Sequence, residues 1–582
     1  MVLQAPLSTE RALLATCALA LVSHQLFRRF ETYSIARHAF LILVPILVGF
    51  ELLRTTSPPL FAALASTFTC LSTLLSSVVI YRLSPFHPLA RYPGPLGCRL
   101  TKFWMACIGY TGRQHLYIRD LHERYGDVVR IGPNELSFRD PTLVNDMLGS
   151  PGVPKGPLMI GRTLSATDVP LPGVQDPAVH MERRKLWNRA MNMSSLKEYE
   201  PCMAGRAIQL LEVLGRQDGE VDIGKYFNYF TYDFMSDMAF GGGQELLRNG
   251  DTNNLWQTIE DAQSIATFLG NVPWLGVYLG YLPFASATVH KVITYCRAFT
   301  LQRLQHPSQR RDIFHYLSNE DQPEKGAPPV KQLIDDGILA IVAGSDTTSS
   351  ALTSLFFCLG THPHVYRRLQ AEVDQFYPAG EDACNSKHGR KMPYLNAAIN
   401  ETLRLYPPVP TGTQRQVPHR SRGTMLGSYF VPAGTSMFLH TYSLHRDHRN
   451  FSPVTEEFWP ERWLVASGNA SPADVGIGAT GDRIGSTAFV HNETAFIPFS
   501  YGPANCVGKQ LAMQEMRMVV CAIMQRFDLR LSEGWDPRAY DEGFKDFFST
   551  TRPAVPVVLR PRGSKTVKLN PDADSDTYTI YA

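Results

Sequence analysis

The stretch that decides the reading of this chain is Phe499-Ser500-Tyr501-Gly502-Pro503-Ala504-Asn505-Cys506-Val507-Gly508. It sets one cysteine on a glycine-flanked loop, directly before an apolar-periodic segment at 509–527 that predicts a helix. Free backbone N–H groups and the helix dipole favour negative charge where a helix begins, so a thiolate at Cys506 would be stabilised there. Gly502 and Gly508 allow a sharp turn and a close approach to a flat partner that a Cβ would obstruct. The competing reading is an ordinary buried thiol.

The run resembles the haem-binding signature of the cytochrome P450 superfamily, Phe-x-x-Gly-x-Arg-x-Cys-x-Gly, with Ala504 where the family usually has arginine. The resemblance covers roughly residues 92–560. Segments such as Asp233-Phe234-Met235-Ser236-Asp237-Met238-Ala239-Phe240-Gly241-Gly242 make it look like fungal microsomal, membrane-anchored monooxygenases. It implies a mainly α fold with small β-sheets and haem b (iron protoporphyrin IX), with Cys506 as axial ligand and Phe499, Gly502 and Gly508 shaping its loop.

A second motif lies in the segment 334–360, which is apolar nearly all round and predicts a long buried helix. Within it, Ala343-Gly344-Ser345-Asp346-Thr347-Thr348 places small residues where a flat cofactor or an oxygen ligand could approach. An acid beside a hydroxyl offers a proton route where water is otherwise excluded. The structural alternative is a helix whose hydroxyls bond their own carbonyls. The run matches the family's oxygen-activation motif, which implies that Asp346 and Thr347 deliver protons to bound O2.

Glu401-Thr402-Leu403-Arg404 stands near the end of another predicted helix, stopped by Pro407 and Pro408. Positions i and i+3 share a face, so Glu401 and Arg404 can pair. By resemblance, Arg462 in Phe458-Trp459-Pro460-Glu461-Arg462-Trp463 joins them in a buried structural network behind the haem. The two haem carboxylates need donors that Ala504 cannot supply. The resemblance points to Trp187 and Arg415 first, then Arg184 and His180, with Met191 where the family often has a further arginine. Arg183, Arg184, Lys185 and Lys509 could form a basic face for an acidic electron donor. The regions that line the family's pocket offer Leu158, Phe268, Leu269, Trp274, Val409, Phe547 and Phe548, which predicts a lipophilic substrate.

The rest of the chain sets the context. In 582 residues the net charge is +3 with no basic run, which excludes an electrostatic case for nucleic acid. The ten cysteines form no C-x-x-C pair, so neither a zinc site nor a disulfide framework is indicated. Apolar segments at 12–27, 39–53 and 60–81 predict one to three transmembrane helices within residues 1–83. Arg28, Arg29 and Arg37 in the first loop, and Arg82, Arg91, Arg99 and Lys102 after the third segment, place both on the cytosolic side of the membrane of the endoplasmic reticulum. Residues 84–99 read as a proline-rich hinge, 100–562 as the haem-thiolate domain, and 563–582 as a polar, disordered tail, with a flexible loop at 466–485. No glycine motif for a nucleotide follows a strand, so electrons would come from an NADPH-cytochrome reductase. The expectation is a monooxygenase inserting one atom of O2 into a lipophilic molecule of secondary metabolism, such as a terpenoid, or a xenobiotic. The rival is a haem-thiolate isomerase or dehydratase acting on a peroxide without a reductase.

Overall fold

The computed structural model describes residues 8–562, apart from positions 244, 307, 309–310, 379, 473–474 and 476–488. The expected tail at 563–582 and most of the loop at 466–485 therefore lie outside the described residues. All ten cysteines are free.

Three helices open the chain, Thr9–Arg29, Ile35–Leu53 and Pro59–Leu83. The third begins on Pro58-Pro59, where a fixed φ and a missing N–H cost nothing. They pack on one another inside out. Ala12, Thr16, Ala20, Gly49, Ala62, Ser66 and Cys70 are buried between them, while Leu60, Leu64, Phe68 and Ile80 face outward. Water would favour the reverse arrangement; hydrocarbon favours this one, because small residues let helix backbones approach. At Gly49 the approach is closest: a Cβ would stand 2.4 Å from Thr16 Oγ1 and 3.1 Å from Ser66 Cβ. The second and third helices are long and apolar enough to cross a membrane; the first, with buried Thr16, Ser23 and His24, does not meet that measure. The expected one to three spans narrow to two candidates.

The proline-rich hinge is docked rather than free. Leu89 and Tyr92 are buried, Arg130 donates its backbone N–H to Pro93 O at 2.7 Å, and a Cβ on Gly94 would lie 2.3 Å from Arg130 O.

Beyond it the domain is mainly helical. The expected helix at 334–360 runs from Val330 to Thr361 and carries the core, packed along Ile223–Phe240 with the rings of Phe227 and Phe356 5.2 Å apart. The helix predicted after the cysteine runs Lys509–Arg526. A four-stranded sheet lies to one side, in the order Val128–Gly132, Glu135–Phe138, Ser436–Leu439, Arg415–Gln416. The first two strands are antiparallel, the second and third parallel, and Arg415 pairs antiparallel with Met437. An isolated antiparallel bridge joins Arg415 to Lys155, bringing together two cations that are far apart in sequence.

Replacing Gly49 with Leu is expected to separate the three N-terminal helices. It should lower the thermal midpoint of the detergent-solubilised chain by several degrees, whereas a leucine on the outward face, at Val48, should leave the midpoint unchanged.

Candidate active site

The floor of the site is the cysteine loop. Cys506 donates its backbone N–H to Phe499 O at 2.8 Å, which closes the loop over the short turn Gly502–Ala504. Gly502 has φ +71° and its Cβ would lie 2.1 Å from Leu148 O, so only glycine fits there. Gly508 differs from expectation. Its φ is −80°, and a Cβ would meet only Cys506 Sγ at 3.9 Å, so glycine here keeps the flank of the sulfur clear rather than making the turn. Burial pushes the Cys506 thiol up. The backbone N–H groups of Gly508 and Lys509 and the charges of Arg184 and Lys509 pull the other way.

Above the sulfur opens a cavity of about 2050 Å³, bounded by Ala343 and Thr347 of the long helix, Val409, Phe548 and the cysteine loop. Thr347 faces it and donates its hydroxyl to Ala343 O at 2.7 Å, so the back-bonded alternative and the cavity-facing position hold together. Asp346 does not line the cavity. It turns to Arg552, whose guanidinium lies 3.5 Å from Oδ1, and to Ser549, and burial still raises its pKa. Gly344 borders the cavity beside Ala343 and also serves helix packing, because a Cβ there would stand 2.7 Å from Met235 Sδ.

Beside the cavity lies a cluster of bases, of which Lys155 and Arg184 line it. Lys155 donates to Leu171 O at 3.1 Å and Arg415 to Val153 O at 3.1 Å, while Arg184 donates to Asn505 O at 2.6 Å and to its Oδ1 at 2.9 Å. None of these three, nor His180, pairs with a carboxylate among the described residues. Burial, then Arg415, Arg184 and Arg183, push Lys155 down to about 7. Burial and the same cations with Lys155 push His180 down to about 4. Arg415 Nε and Nη2 and His180 Nε2 are buried without a hydrogen-bond partner.

Behind the floor, Glu401 is fully buried and shared. Arg404 reaches both of its oxygens at 2.9 Å, Arg462 reaches Oε1 at 3.1 Å, and Trp459 N and the Trp463 indole add bonds at 3.1 and 3.0 Å. These donors hold Glu401 down to about 2 against its own desolvation. Arg404 also donates to His445 O at 2.8 Å, and His445 Nε2 accepts the N–H of Ile497 at 3.0 Å, two residues before Phe499. A continuous line of bonds thus runs from Glu401 to the cysteine loop.

A family model described as Cytochrome P450 matches residues 93–557. The chain belongs to the cytochrome P450 family. Similar proteins include the cytochrome P450 monooxygenase FCK2 of Fusarium pseudograminearum, 32% identical over 503 residues, covering 85% of this chain and 86% of that protein. The monooxygenase nodW of Hypoxylon pulicicidum is 31% identical over 84% of this chain and 86% of its own length. Tryprostatin B 6-hydroxylase of Aspergillus fumigatus is 29% identical over 85% and 84%. This P450 is a monooxygenase like its relatives, and the family's cofactor is haem b.

The residues present fit that cofactor. A sulfur faces the cavity, and a set of buried bases lacks anions that two propionates would provide. Arg415, Arg184 and His180 lie in one cluster with Lys155, which the sequence reading does not name; nothing in its Pro-Lys-Gly-Pro setting signals the bridge to Arg415. Trp187 borders the same cavity, and its indole N–H has Asp336 Oδ1 3.4 Å away. The expected basic face also shrinks: Arg183 bonds Val169 O and Asp336, Arg184 is buried, and only Lys185 and Lys509 stay exposed. Of the expected pocket residues, Val409 and Phe548 line the cavity. Leu158, Phe268, Leu269, Trp274 and Phe547 do not; Phe268 and Trp274 stack on Phe103 instead.

Glu401→Gln is expected to cost about 3–5 kcal/mol of stability, because it leaves two buried guanidiniums short of a charge. Glu401 is lowered from 4.5 to about 2 and His445 from 6.5 to about 3, so both favour the fold at neutral pH. Their contribution declines as pH falls below 6.5 and further below 4.5, towards 2. The Glu401→Gln variant should show a flatter acid-unfolding curve than the parent, followed by circular dichroism. Lys155→Met should speed loss of haem to apomyoglobin several-fold, while Lys185→Met should not.

Proposed function

We propose that this P450 is a membrane-anchored enzyme of fungal secondary metabolism that inserts one oxygen atom from O2 into a lipophilic small molecule, with electrons from NADPH through a separate cytochrome reductase. The observation that carries the reading is the sulfur of Cys506 opening onto a largely apolar cavity whose opposite wall presents Thr347. The names of the relatives, tryprostatin B 6-hydroxylase among them, support the metabolic role.

Cys506 would hold the iron, and Arg184, Arg415, Lys155 and His180 the propionates. When bound, haem supplies the activation of O2 and the oxidation of an unactivated C–H or C=C bond. Thr347 presents a hydroxyl at the cavity surface and holds its proton on Ala343 O until a better acceptor arrives. Asp346, kept behind the wall by Arg552, can replace that proton from the protein side. The apolar lining excludes water from this exchange. Glu401, Arg404 and Arg462 act only by holding the floor.

Two features support anchoring in the endoplasmic reticulum with the catalytic domain in the cytosol. The N-terminal helices are packed inside out, and the loop between the first two, flanked by Arg28 and Arg29 at the end of one helix and Arg37 in the next, meets the catalytic domain. Glu31 Oε2 lies 2.7 Å from His419 Nε2, and Glu31 to Arg37 border the mouth of the cavity. Loop and domain therefore share one side, as the distribution of basic residues requires.

Cys506→Ala should abolish the absorption band that carbon monoxide gives a reduced thiolate-ligated haem. Thr347→Ala should keep the band and NADPH oxidation but divert most of the oxygen consumed to peroxide, measured as the ratio of product to NADPH. Turnover with an organic hydroperoxide and none with NADPH, reductase and O2 would favour the isomerase or dehydratase instead.

A further inference from the structure

The roof of the cavity carries a cation that the haem does not account for. Arg162 ends the short segment Leu158–Arg162 and borders the cavity. Its Nη1 donates to Thr267 Oγ1 at 2.9 Å and its Nη2 to Gln263 Oε1 at 2.7 Å, both on the helix Leu255–Asn271. The ring of Phe548 lies 5.2 Å from its guanidinium carbon. Both acceptors are neutral, and among the described residues Arg162 forms no ion pair. The two acids that feel its charge are engaged elsewhere: Asp346 with Arg552, and Asp546 with the Thr411 hydroxyl and the N–H of Phe548 at 3.0 Å.

Ala266, Val277, Ile338, Leu339 and Val409 border the same cavity, whose lining is mainly apolar but also carries polar groups such as Thr163, Asp335 and Ser549. A part-buried guanidinium that keeps only neutral acceptors gives up some of its hydration without full compensation. A carboxylate restores it best, because the planar fork matches two oxygens at once. Gln263 and Thr267 fix the guanidinium on one edge and so preorganise the other.

We infer that Arg162 is the anchor for a carboxylate on an otherwise apolar substrate, with Gln263 and Thr267 as its positioning residues. This rests on the cavity being the substrate pocket of a monooxygenase. The apolar body of such a molecule fills the space below, and the ion pair decides which of its carbons faces the floor.

The test uses the full-length, haem-loaded chain in phospholipid nanodiscs. Dodecanoic, 4-phenylbutyric and 2-naphthylacetic acids are compared with their methyl esters, by equilibrium dialysis against empty discs and by the shift of the haem band. At least one acid should bind about 10- to 100-fold more tightly than its ester, the range a buried charged hydrogen bond supplies. Arg162→Leu should bring acid and ester together, and Arg162→Lys should keep part of the preference. Gln263→Glu, which gives the guanidinium an internal carboxylate, should also remove the preference while leaving the carbon monoxide band intact. The inference is overturned if no acid outbinds its ester, or if the preference survives in both Arg162→Leu and Gln263→Glu. An acid preference seen by dialysis in protein without the thiolate band would uphold the subsite and strike the haem-thiolate reading alone.

Discussion

Glu401 is a carboxylate with no access to water, and two guanidiniums share it. Such a group is costly to bury alone and costly to disturb once paired, so the surrounding chain has few alternatives. Arg404 and Arg462 also donate to the carbonyls of His445, Thr455, Glu457, Pro453 and Val454, which ties the irregular segment 445–463 to the helix Pro393–Leu405. His445 passes the constraint on. Its Nδ1 bonds Arg404 O at 3.2 Å and its Nε2 accepts from Ile497, so the ring is held as the neutral tautomer with the proton on Nδ1. The position of the sulfur is therefore set by a buried charge about a hundred residues earlier in the chain.

The exchange of the usual arginine for Ala504 moves charge without removing it. Arg184 places its guanidinium on Asn505, next to the missing side chain, and so braces the cysteine loop from a neighbouring helix. Lys155 and Arg415 add two further cations through a bridge between a loop and a short strand. Burial first and then mutual repulsion depress Lys155 and His180 within this cluster. A cluster of that kind is a cost to the empty protein that an anionic ligand turns into affinity.

Much of this was legible in the sequence where the signal is local. The helix after Cys506, the long helix around Asp346 and the pairing of Glu401 with Arg404 follow from spacing along one helix. Arg462 was reached only by family resemblance, since no periodicity links it to Glu401. What local spacing cannot carry is the partner across the fold. Lys155 meets Arg415 through sheet pairing, and Trp187 gives its N–H to Asp336 because two helices cross there. Gly344 borders the cavity and also makes room for Met235, a partner that spacing along one helix does not reveal. The pocket was misjudged for a similar reason: Phe268 and Trp274 sit in the right segment but on the face turned to Phe103. Arg162, which no apolar outline of the pocket includes, borders the cavity instead.

The floor and the mouth of the site are held by forces of different strength. The floor rests on ion pairs with no exposed atoms, which salt does not screen. The mouth is bordered by the loop from Glu31 to Arg37, whose ties to the domain include a bond from Gln416 Nε2 to Glu31 Oε2 at 3.4 Å and the Glu31–His419 pair, with both side chains of that pair close to half exposed. A pair of that exposure is worth at most about 1 kcal/mol. Glu31 raises His419, so its attraction is greatest when the imidazole is protonated and fades as pH rises. Low local stability is where opening motions concentrate. The N-terminal helices thus meet the catalytic domain at a border of the cavity held by partly exposed polar contacts, whereas the floor is held by fully buried ion pairs.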